Sequence, residues 1–404
     1  MRVAVVGAGI GGLCLAQGLR RNGLEVTVYE RDDALSSRGQ GYRVHLDAGR
    51  ALHECLPPDL YELCISTSGR PSTRVTVARR DLHVLRKIEF PIPSDPFDPH
   101  TLSTSVNRQT LREVLAARLE GDIEFGRVCT GFEQQPEGVR VLFADGSSVR
   151  ADVLVAADGV HSPIRNRYLP HARLLETGLV SIVGRTPLTE QTRPLIPGYM
   201  WQGFTAVAGR RLGMAVGVLD FREPPVAAAE RIAPNVRLSA VPGYLMWALT
   251  GRASRFAGRV EDSDPQRIHR VATDSIRRWH PDLRQLLALA EIQETIRIVI
   301  RTSIPIDPWP ATRVTLLGDA IHAMSPARGS GANTALRDAA LLAKELAAAA
   351  RGDKPVVQAI ADYEREMVDY GFAAVRGSAE AGGRGPVSPA ATRWWRTAGR
   401  RPGR

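Results

Sequence analysis

The stretch Arg2-Val-Ala-Val-Val-Gly-Ala-Gly-Ile-Gly-Gly12 decides the fold of this chain. A short β-branched run ends in a glycine-rich turn, and apolar residues at helical spacing follow over residues 10–22. This order predicts a buried parallel strand, a tight turn and a helix. A second strand is predicted at residues 25–29, so the first thirty residues form one βαβ unit.

The turn has the spacing G-x-G-x-x-G through Gly7, Gly9 and Gly12. The first glycine permits the tight turn, the second lets a pyrophosphate approach the backbone, and the third lets the helix pack closely on the strand. The N-terminus of the helix offers unpaired N–H groups to the phosphates. Glu30 ends the second strand, where its carboxylate can accept ribose hydroxyls and repel a 2′-phosphate. The motif therefore predicts an FAD or NAD site.

Two later motifs place further polar groups at the same kind of position. Asp158 and Asp319 each follow a short apolar strand, predicted at residues 153–156 and 313–317. Such positions gather at the carboxyl edge of an open parallel sheet, where ligands bind. The glycine-rich run 327–333 then precedes a helix, so its backbone N–H groups can face an electron-rich ligand.

In order and spacing, these motifs resemble those of the group A flavoprotein monooxygenases, the family of para-hydroxybenzoate hydroxylase. The matching patterns are D-G-x-x-S-x-x-R at residues 158–165 and G-D-A-x-H-x-x-x-P-x-x-G-x-G-x-N at residues 318–333, together with the first glycine turn. The resemblance covers roughly residues 1–375. One departure is Ile321, where the family often has alanine. The resemblance implies FAD as cofactor, NADPH or NADH and O2 as co-substrates, and oxygen transfer through a flavin hydroperoxide.

The resemblance also implies which residues contact the cofactor. Arg108 is similar to the arginine near the ribityl or pyrophosphate region, and Asp319 to the aspartate that holds a ribityl hydroxyl. Val128 is similar to the residue whose backbone meets the adenine, and residues 329–333 would run along the isoalloxazine. The full expected set is Gly7, Gly9, Gly11, Gly12, Glu30, Arg31, Arg43, Arg108, Val128, Asp158, Gly318, Asp319, Gly329, Gly331, Ala332 and Asn333.

No catalytic residue is assigned from the sequence, because the cofactor itself carries the difficult chemistry. Arg43, His45 and Pro326 are candidates for positions close to the flavin, and Arg43 and His45 are equally compatible with simple packing. His322 lies in a motif constrained by loop geometry, so a structural hydrogen-bonding role is favoured over general-base catalysis. No metal is required.

The order of elements predicts a mixed α/β fold, with a Rossmann-like FAD-binding domain and an inserted, mainly antiparallel β-sheet substrate domain. The FAD-binding domain takes residues 1–170, with some substrate-side segments near 70–105, and the substrate-binding sheet takes residues 171–305. Residues 306–376 return to the first domain and add C-terminal helices. Residues 377–404 are rich in glycine, proline and arginine, which predicts a flexible basic tail.

The sheet domain contains aromatic and apolar residues suited to a flat substrate. The candidates for a pocket lining are Tyr199, Trp201, Phe204, Met214 and Trp247, each of which is equally compatible with the sheet core. On this basis we expect hydroxylation or epoxidation of an aromatic or polycyclic small molecule, in secondary metabolism or aromatic degradation.

Composition narrows the possible partners. The net charge is +10, but the segment from Gly377 onward holds six arginines and one glutamate, so about half of the excess lies there. This distribution argues against a nucleic-acid surface. The sequence contains no apolar run of about 18 residues, the length that would predict a membrane span. The four cysteines, Cys14, Cys55, Cys64 and Cys129, form no C-x-x-C pair, which disfavours zinc and disulfides and fits a cytoplasmic location.

Three alternatives stay open at this stage. A flavin-dependent halogenase would share the fold, although its W-x-W-x-I-P segment is absent from the sequence. An FAD-dependent isoprenoid reductase or cyclase differs in not inserting oxygen. A nonenzymatic nucleotide-binding regulator with a basic tail belongs to another class. The sequence leaves open the substrate, the type of oxygen insertion, the choice between NADH and NADPH, and the oligomeric state.

Overall fold

The computed structural model describes residues 1–35, 41–258 and 264–382. In chain order, its strands are β1 Arg2–Val6, β2 Glu25–Tyr29, β3 Arg43–Leu46, β4 Arg74–Arg79, β5 Val84–Glu89, β6 Thr104–Asn107, β7 Ile123–Glu124, β8 Cys129–Gln135, β9 Gly138–Phe143, β10 Ser148–Ala151, β11 Val153–Ala156, β12 Leu174–Pro187, β13 Gly203–Ala208, β14 Gly213–Leu219, β15 Tyr244–Arg252, β16 Ile296–Ser303 and β17 Val314–Leu316. Its α-helices are α1 Ile10–Arg21, α2 Gly49–Cys55, α3 Pro58–Ser66, α4 Arg108–Ala116, α5 Pro163–Tyr168, α6 Pro225–Ile232, α7 Pro265–Ser275, α8 Pro281–Ala288, α9 Asp319–His322, α10 Gly331–Ala350 and α11 Val356–Gly382.

A parallel sheet with the strand order β17-β11-β1-β2-β7 forms the centre of the nucleotide-binding half. Apart from the edge strand β7, its strands are short and mostly buried in one apolar core with α1 and α10. The last residue of β1, Val6, lies beside Tyr29 of β2 and Ala156 of β11. The carboxyl ends of β1, β2, β11 and β17 therefore meet at one edge of the sheet.

A seven-stranded sheet with the order β16-β12-β15-β14-β13-β4-β5 forms the other half. All of its pairs are antiparallel except β13 with β4. The helices α7 and α8 pack on one side of it and share an apolar core with its strands. The predicted fold class, a mixed α/β chain with a parallel sheet, an antiparallel sheet and C-terminal helices, is confirmed.

The apolar and aromatic run at residues 199–207 forms two elements. Gly198–Gln202 form a 3-10 helix after Pro197, and β13 starts only at Gly203. Gly203 makes the change of direction with a φ of 149°, at a point where a Cβ would lie 2.1 Å from the carbonyl oxygen of Arg74. Only glycine fits this close approach.

The C-terminal helix is longer than expected. Residues 377–382 belong to α11 rather than to the predicted tail. The Arg328 side chain packs across Gly377. A Cβ at this position would lie 2.2 Å from that side chain, so glycine leaves the room that it needs. The rest of the predicted tail, including Trp394 and Trp395, lies outside the described residues. Among the helices that are described, none is long and apolar enough to cross a membrane.

Candidate active site

The glycine turn after β1 packs directly against the second motif. Gly7 has a φ of 110°, and a Cβ there would lie 2.4 Å from the carbonyl oxygen of Ala157, the residue before Asp158. A Cβ on Gly12 would lie 2.1 Å from the carbonyl oxygen of Gly7. Both positions therefore require glycine, the first for its left-handed backbone and both for the close approach.

The third motif meets the first on the other side of α1. A Cβ on Gly11 would lie 2.7 Å from the Cδ1 atom of Leu317 and 3.2 Å from the Cβ atom of Ala335. Leu317 precedes the Gly318-Asp319 pair, and Ala335 is in the second turn of α10. Gly11 is thus a packing residue, and three distant stretches of sequence converge around α1.

Glu30 lies at the end of β2 with its carboxylate held in place. Its Oε2 atom accepts a hydrogen bond of 2.7 Å from the backbone N–H of Ala8, and its Oε1 atom accepts one of 3.0 Å from that of Asp32. Each oxygen keeps a lone pair for a further donor. Val128, which is 45% exposed, follows Arg127, whose N–H donates to the carbonyl of Glu30. Arg31 is exposed beside them.

Asp158 and Gly9 provide the test of whether a dinucleotide fits. Both carboxylate oxygens of Asp158 are inaccessible to solvent, and neither has a hydrogen-bond partner among the described residues. Burial raises the pKa of Asp158 to about 6, although Ser162 and Arg165 act in the opposite direction. A Cβ on Gly9 would meet no atom within 4 Å. A buried carboxylate without hydrogen-bond donors among the described residues fits FAD, and so does the open space beside the Gly9 backbone.

Asp319, Arg108 and the start of α10 form the next part of the site. The Asp319 side chain is exposed at the cleft, yet desolvation by the surrounding protein raises its pKa, and the charges of His322 and Arg108 oppose this shift. A Cβ on Gly331 would lie 4.0 Å from its Oδ1 atom. The Nη1 atom of Arg108 is buried without a partner in the described part of the chain. These groups fit hydroxyls and phosphates of a cofactor.

Asn333 joins the glycine loop to β3. Its side-chain amide donates to the carbonyls of His45 and Gly329 over 3.0 and 3.3 Å, and its Oδ1 atom accepts from the N–H of Asp47 over 3.0 Å. A Cβ on Gly329 would lie 3.5 Å from the Cβ atom of His45. His45 is therefore beside the loop, where burial lowers its pKa. Pro326 is exposed and begins the 3-10 turn that leads to Gly329.

A buried network that the sequence analysis missed supports this loop. Asp338 of α10 accepts hydrogen bonds from the N–H of Gly318 over 2.8 Å, from His322 over 2.7 Å and from the Tyr370 hydroxyl over 2.6 Å. Burial disfavours the charged form of His322, but the charge and hydrogen bond of Asp338 raise its pKa overall. The structural interpretation of His322 agrees with this arrangement. The sequence feature that could have revealed Asp338 is the presence of an aspartate on the apolar face of an alanine-rich helix.

The seven-stranded sheet has one face turned toward α7 and α8, which we call the closed face, and one turned toward β3. Trp247 and Met214 are on the closed face in its apolar core. Tyr199 and Trp201 pack against that same core from the 3-10 helix. These four candidates for a pocket lining therefore pack in or against the closed-face core, and the sheet itself lies between them and β3.

Phe204 alone among the five candidates is on the opposite face. Its neighbours in register are Val75, Gly217 and, through Gly217, Met246. We call this face the open face, because its side chains are partly exposed while those of the closed face are buried. Its members are Val75, Val77, Phe204, Ala206, Ala215, Gly217, Met246 and Ala248. Ala206, Ala215 and Ala248 are the small side chains of this surface.

Strand β3 lies between the open face and the glycine loop, with Arg43 against the open face and His45 against the loop. Arg43 is 7% exposed, and a Cβ on Gly217 would lie 3.0 Å from both its Cδ and its Nη1 atom. Because side chains alternate along a strand, Arg43 and His45 are on the same side of β3. One side of β3 therefore runs from the open face to the loop at Gly329. Within the residues that the structure describes, no group of three or more potential ligands could hold a metal ion.

Comparison with known proteins agrees with this geometry. A family model described as an FAD binding domain matches residues 1–378. The FAD-dependent urate hydroxylase of Klebsiella pneumoniae is 30% identical over 376 residues, which cover 91% of this chain and 86% of that protein. The dual O-methyltransferase/FAD-dependent monooxygenase CTB3 of Cercospora beticola is 31% identical over 401 residues, covering 90% of this chain. The chain spans only 44% of that longer relative.

Solved structures show the same relation. An FAD-containing monooxygenase from Photorhabdus luminescens superposes with a TM-score of 0.78 and 30% identity, over 94% of this chain and 98% of that one. A single-residue variant of HpxO from Klebsiella pneumoniae, solved in complex with FAD, gives a TM-score of 0.74 at 25% identity, over 94% and 89% of the two chains. Motifs, geometry and relatives agree, and the chain belongs to the FAD-binding-domain family that includes these flavin-dependent monooxygenases.

Proposed function

We propose that the chain is an FAD-dependent monooxygenase that uses NADPH or NADH and O2 to hydroxylate or epoxidise an aromatic or polycyclic small molecule. The observation that carries this proposal is the placement of the glycine loop 329–333 opposite the open face of the sheet, with β3 between them. A flavin held at that loop would lie beside an apolar surface that could take a flat molecule.

The nucleotide-binding half would hold FAD through residues from all three motifs. Glu30 would accept the ribose hydroxyls of the adenosine, and the Gly9 backbone would admit the pyrophosphate. Arg108 would neutralise phosphate charge, and Asp319 would accept a ribityl hydroxyl. FAD supplies the redox chemistry between the reduced nicotinamide, O2 and the substrate.

The polypeptide contributes electrostatics and orientation. The helix α10 has 20 residues, and the free N–H groups of its first turn lie in the glycine loop 329–333. These N–H groups favour negative charge on a ligand bound at the loop. The His322–Asp338 pair holds Gly318 and so fixes the turn that presents Asp319. Asn333 keeps the loop at a fixed distance from β3.

The substrate class follows from the open face. Ala206, Ala215 and Ala248 give this face small apolar side chains, and Phe204 and Met246 add contact area. Such a surface favours a planar molecule that excludes water when it binds. The buried, unpaired state of all four cysteines supports a reducing, cytoplasmic location.

The test is flavin reduction by NADPH or NADH in stopped flow, across phenols, indoles and aromatic polyketides, with product mass measured after turnover in air. We expect a flat aromatic compound to accelerate flavin reduction and to gain one oxygen atom. Acceleration by small polar compounds alone would contradict the substrate class. Reduction without oxygen gain would favour a reductase or cyclase, and absence of NAD(P)H oxidation would favour a nonenzymatic nucleotide-binding protein.

A further inference from the structure

The strand β5 and the residues just after it carry a concentration of exposed apolar side chains. Eight large hydrophobic side chains are exposed among the described residues, and four of them lie within positions 85–92: Leu85, Ile88, Phe90 and Ile92. All eight residues of this stretch are exposed. The other four hydrophobic side chains belong to four separate parts of the chain. Single exposed hydrophobic residues are normal, whereas a contiguous group marks an interaction site.

The same strand is the last one of its sheet, so its outer edge has no neighbour among the described strands. The N–H of Phe90 donates to the carbonyl of Thr73, just before β4, so Phe90 points its backbone groups inward. Because these groups alternate in direction along an antiparallel strand, Ile88 also faces β4, while Lys87 and Glu89 face outward. Such unpaired N–H and C=O groups are a template for another strand.

The two outward-facing residues have opposite charges. Lys87 forms no ion pair within the part of the chain that the structure describes. Glu89 contacts Arg74 of β4 through its Oε1 atom at 2.6 Å, but 67% of its side chain stays exposed. The edge therefore presents a cation and an anion two positions apart, a pattern that is complementary to itself when the strand direction is reversed.

We propose that β5 is a self-association edge, at which a second copy of this chain adds its own β5 in an antiparallel register centred on Ile88. In this register Lys87 lies opposite Glu89 of the second copy, and Glu89 lies opposite Lys87 of the second copy. Each pair exchanges two backbone hydrogen bonds, and the two Ile88 side chains meet as a close, non-hydrogen-bonded pair. Two seven-stranded sheets thus become one continuous sheet.

Charge and strand geometry select this register over its neighbours. A pairing centred on Lys87 places two lysines opposite each other, and one centred on Glu89 places two glutamates opposite each other; like charges in these positions are destabilising. Pro91, at the next outward position, has no N–H to donate. At the other end the register between β4 and β5 shifts at Val77 and Ala78, which is a bulge. The contact is therefore short and has one favourable alignment.

The apolar residues of the edge complete the contact. Arg86 lies opposite Phe90 of the second copy, where a guanidinium can pack over the ring. Ile88 is in register with Val75, so the junction continues the apolar surface of the open face from one copy to the other. A second copy thus removes from water the side chains that a single chain leaves exposed, which is favourable.

The test is the mass of the full-length, FAD-supplemented protein, from light scattering after gel filtration and from sedimentation over a range of concentrations. Ile88→Glu places two carboxylates at the centre of the contact. Val226→Glu is the matched control, because Val226 lies on α6 and both residues are 38% exposed. Lys87→Glu and Glu89→Lys test the register, each alone and the two mixed in equal amounts.

We expect the wild type and Val226→Glu to form dimers and Ile88→Glu to be monomeric. Each charge reversal alone should raise the dimer dissociation constant about 10- to 100-fold, because two like-charged pairs replace two oppositely charged ones. Mixing Lys87→Glu with Glu89→Lys should restore a dimer with one copy of each, since every charge then faces its opposite. Hydrogen exchange of the β5 backbone should be slow in the dimer and fast in Ile88→Glu.

Recovery on mixing separates the proposal from a folding defect, because a second variant does not repair a misfolded chain. A wild-type protein that is monomeric at every concentration would overturn the inference, and so would a dimer that Ile88→Glu leaves intact. Reversed chains that stay monomeric when mixed would refute the register. Slow exchange at β5 in a monomeric wild type would show that another segment of the same chain covers the edge, which also contradicts the proposal.

Discussion

The two faces of the seven-stranded sheet are made by alternate residues of the same strands, yet they differ in chemistry. Val216, Trp247 and Leu249 project into the closed face, where α7 and α8 cover them. Their sequence neighbours Ala215, Met246 and Ala248 are on the open face and stay partly exposed. The closed face thus contributes stability, and the open face is free to contribute binding. Substitutions of adjacent residues should separate the two contributions.

The largest effect is expected for Trp247→Ala on the closed face. Removal of a completely buried indole that packs over Gly184 should lower the free energy of unfolding by about 3 to 5 kcal/mol. Met246→Ala is the matched variant on the open face and should cost about 1 kcal/mol, since the side chain is partly exposed. Urea unfolding followed by circular dichroism measures both. Equal losses would mean that the two faces are not distinct.

A large side chain added to the open face should weaken substrate binding and leave stability almost unchanged. Ala215→Leu adds bulk to the flat surface, so we expect the KM for an aromatic substrate to rise about tenfold, as for a loss of about 1.4 kcal/mol in binding. The unfolding midpoint should change little. Steady-state NADPH oxidation gives the KM, and Val216→Leu is the control on the closed face. A lower midpoint with unchanged KM for Ala215→Leu would place the substrate elsewhere.

A smaller effect is expected when an open-face side chain is truncated. Phe204→Ala removes apolar contact area from one edge of the proposed surface, which should weaken substrate binding about 3- to 10-fold. FAD content should stay unchanged because Phe204 is outside the three motifs. Ligand titration with flavin absorbance measures the change. Trp201→Ala, from the closed side, should leave substrate affinity as it is.

The smallest effect is expected for His322, a buried residue of the nucleotide-binding half. The folded-state pKa of His322 is raised above its ordinary value of 6.5, so its pairing with Asp338 stabilises the fold fully below that pH. The contribution is lost as pH rises through the raised value. The difference in unfolding free energy between wild type and His322→Asn should therefore be larger at pH 6 than at pH 9. A difference that grows with pH would contradict the assigned direction.

The nucleotide-binding half was predictable because its signals are local. The β1 turn, Glu30 and the two aspartates each follow a short strand, and parallel strands bring their carboxyl ends to one edge. The pairing of Asp338 with His322 and Tyr370 was not predictable, since it joins side chains from three helices. The division of the five pocket candidates between the two sheet faces was not predictable either. Alternation assigns Phe204 and Trp247 to opposite faces, but only the packing of distant helices shows which face is covered.

The central claim is that three separated stretches of chain hold one flavin beside the open face. Its most direct test is the flavin content of the FAD-supplemented protein after gel filtration, measured for the wild type and for Gly7→Val, Asp319→Ala and the closed-face control Leu249→Ile. We expect equimolar FAD in the wild type and the control, and its loss in both motif variants. A folded wild-type protein that elutes without flavin absorbance would contradict the account.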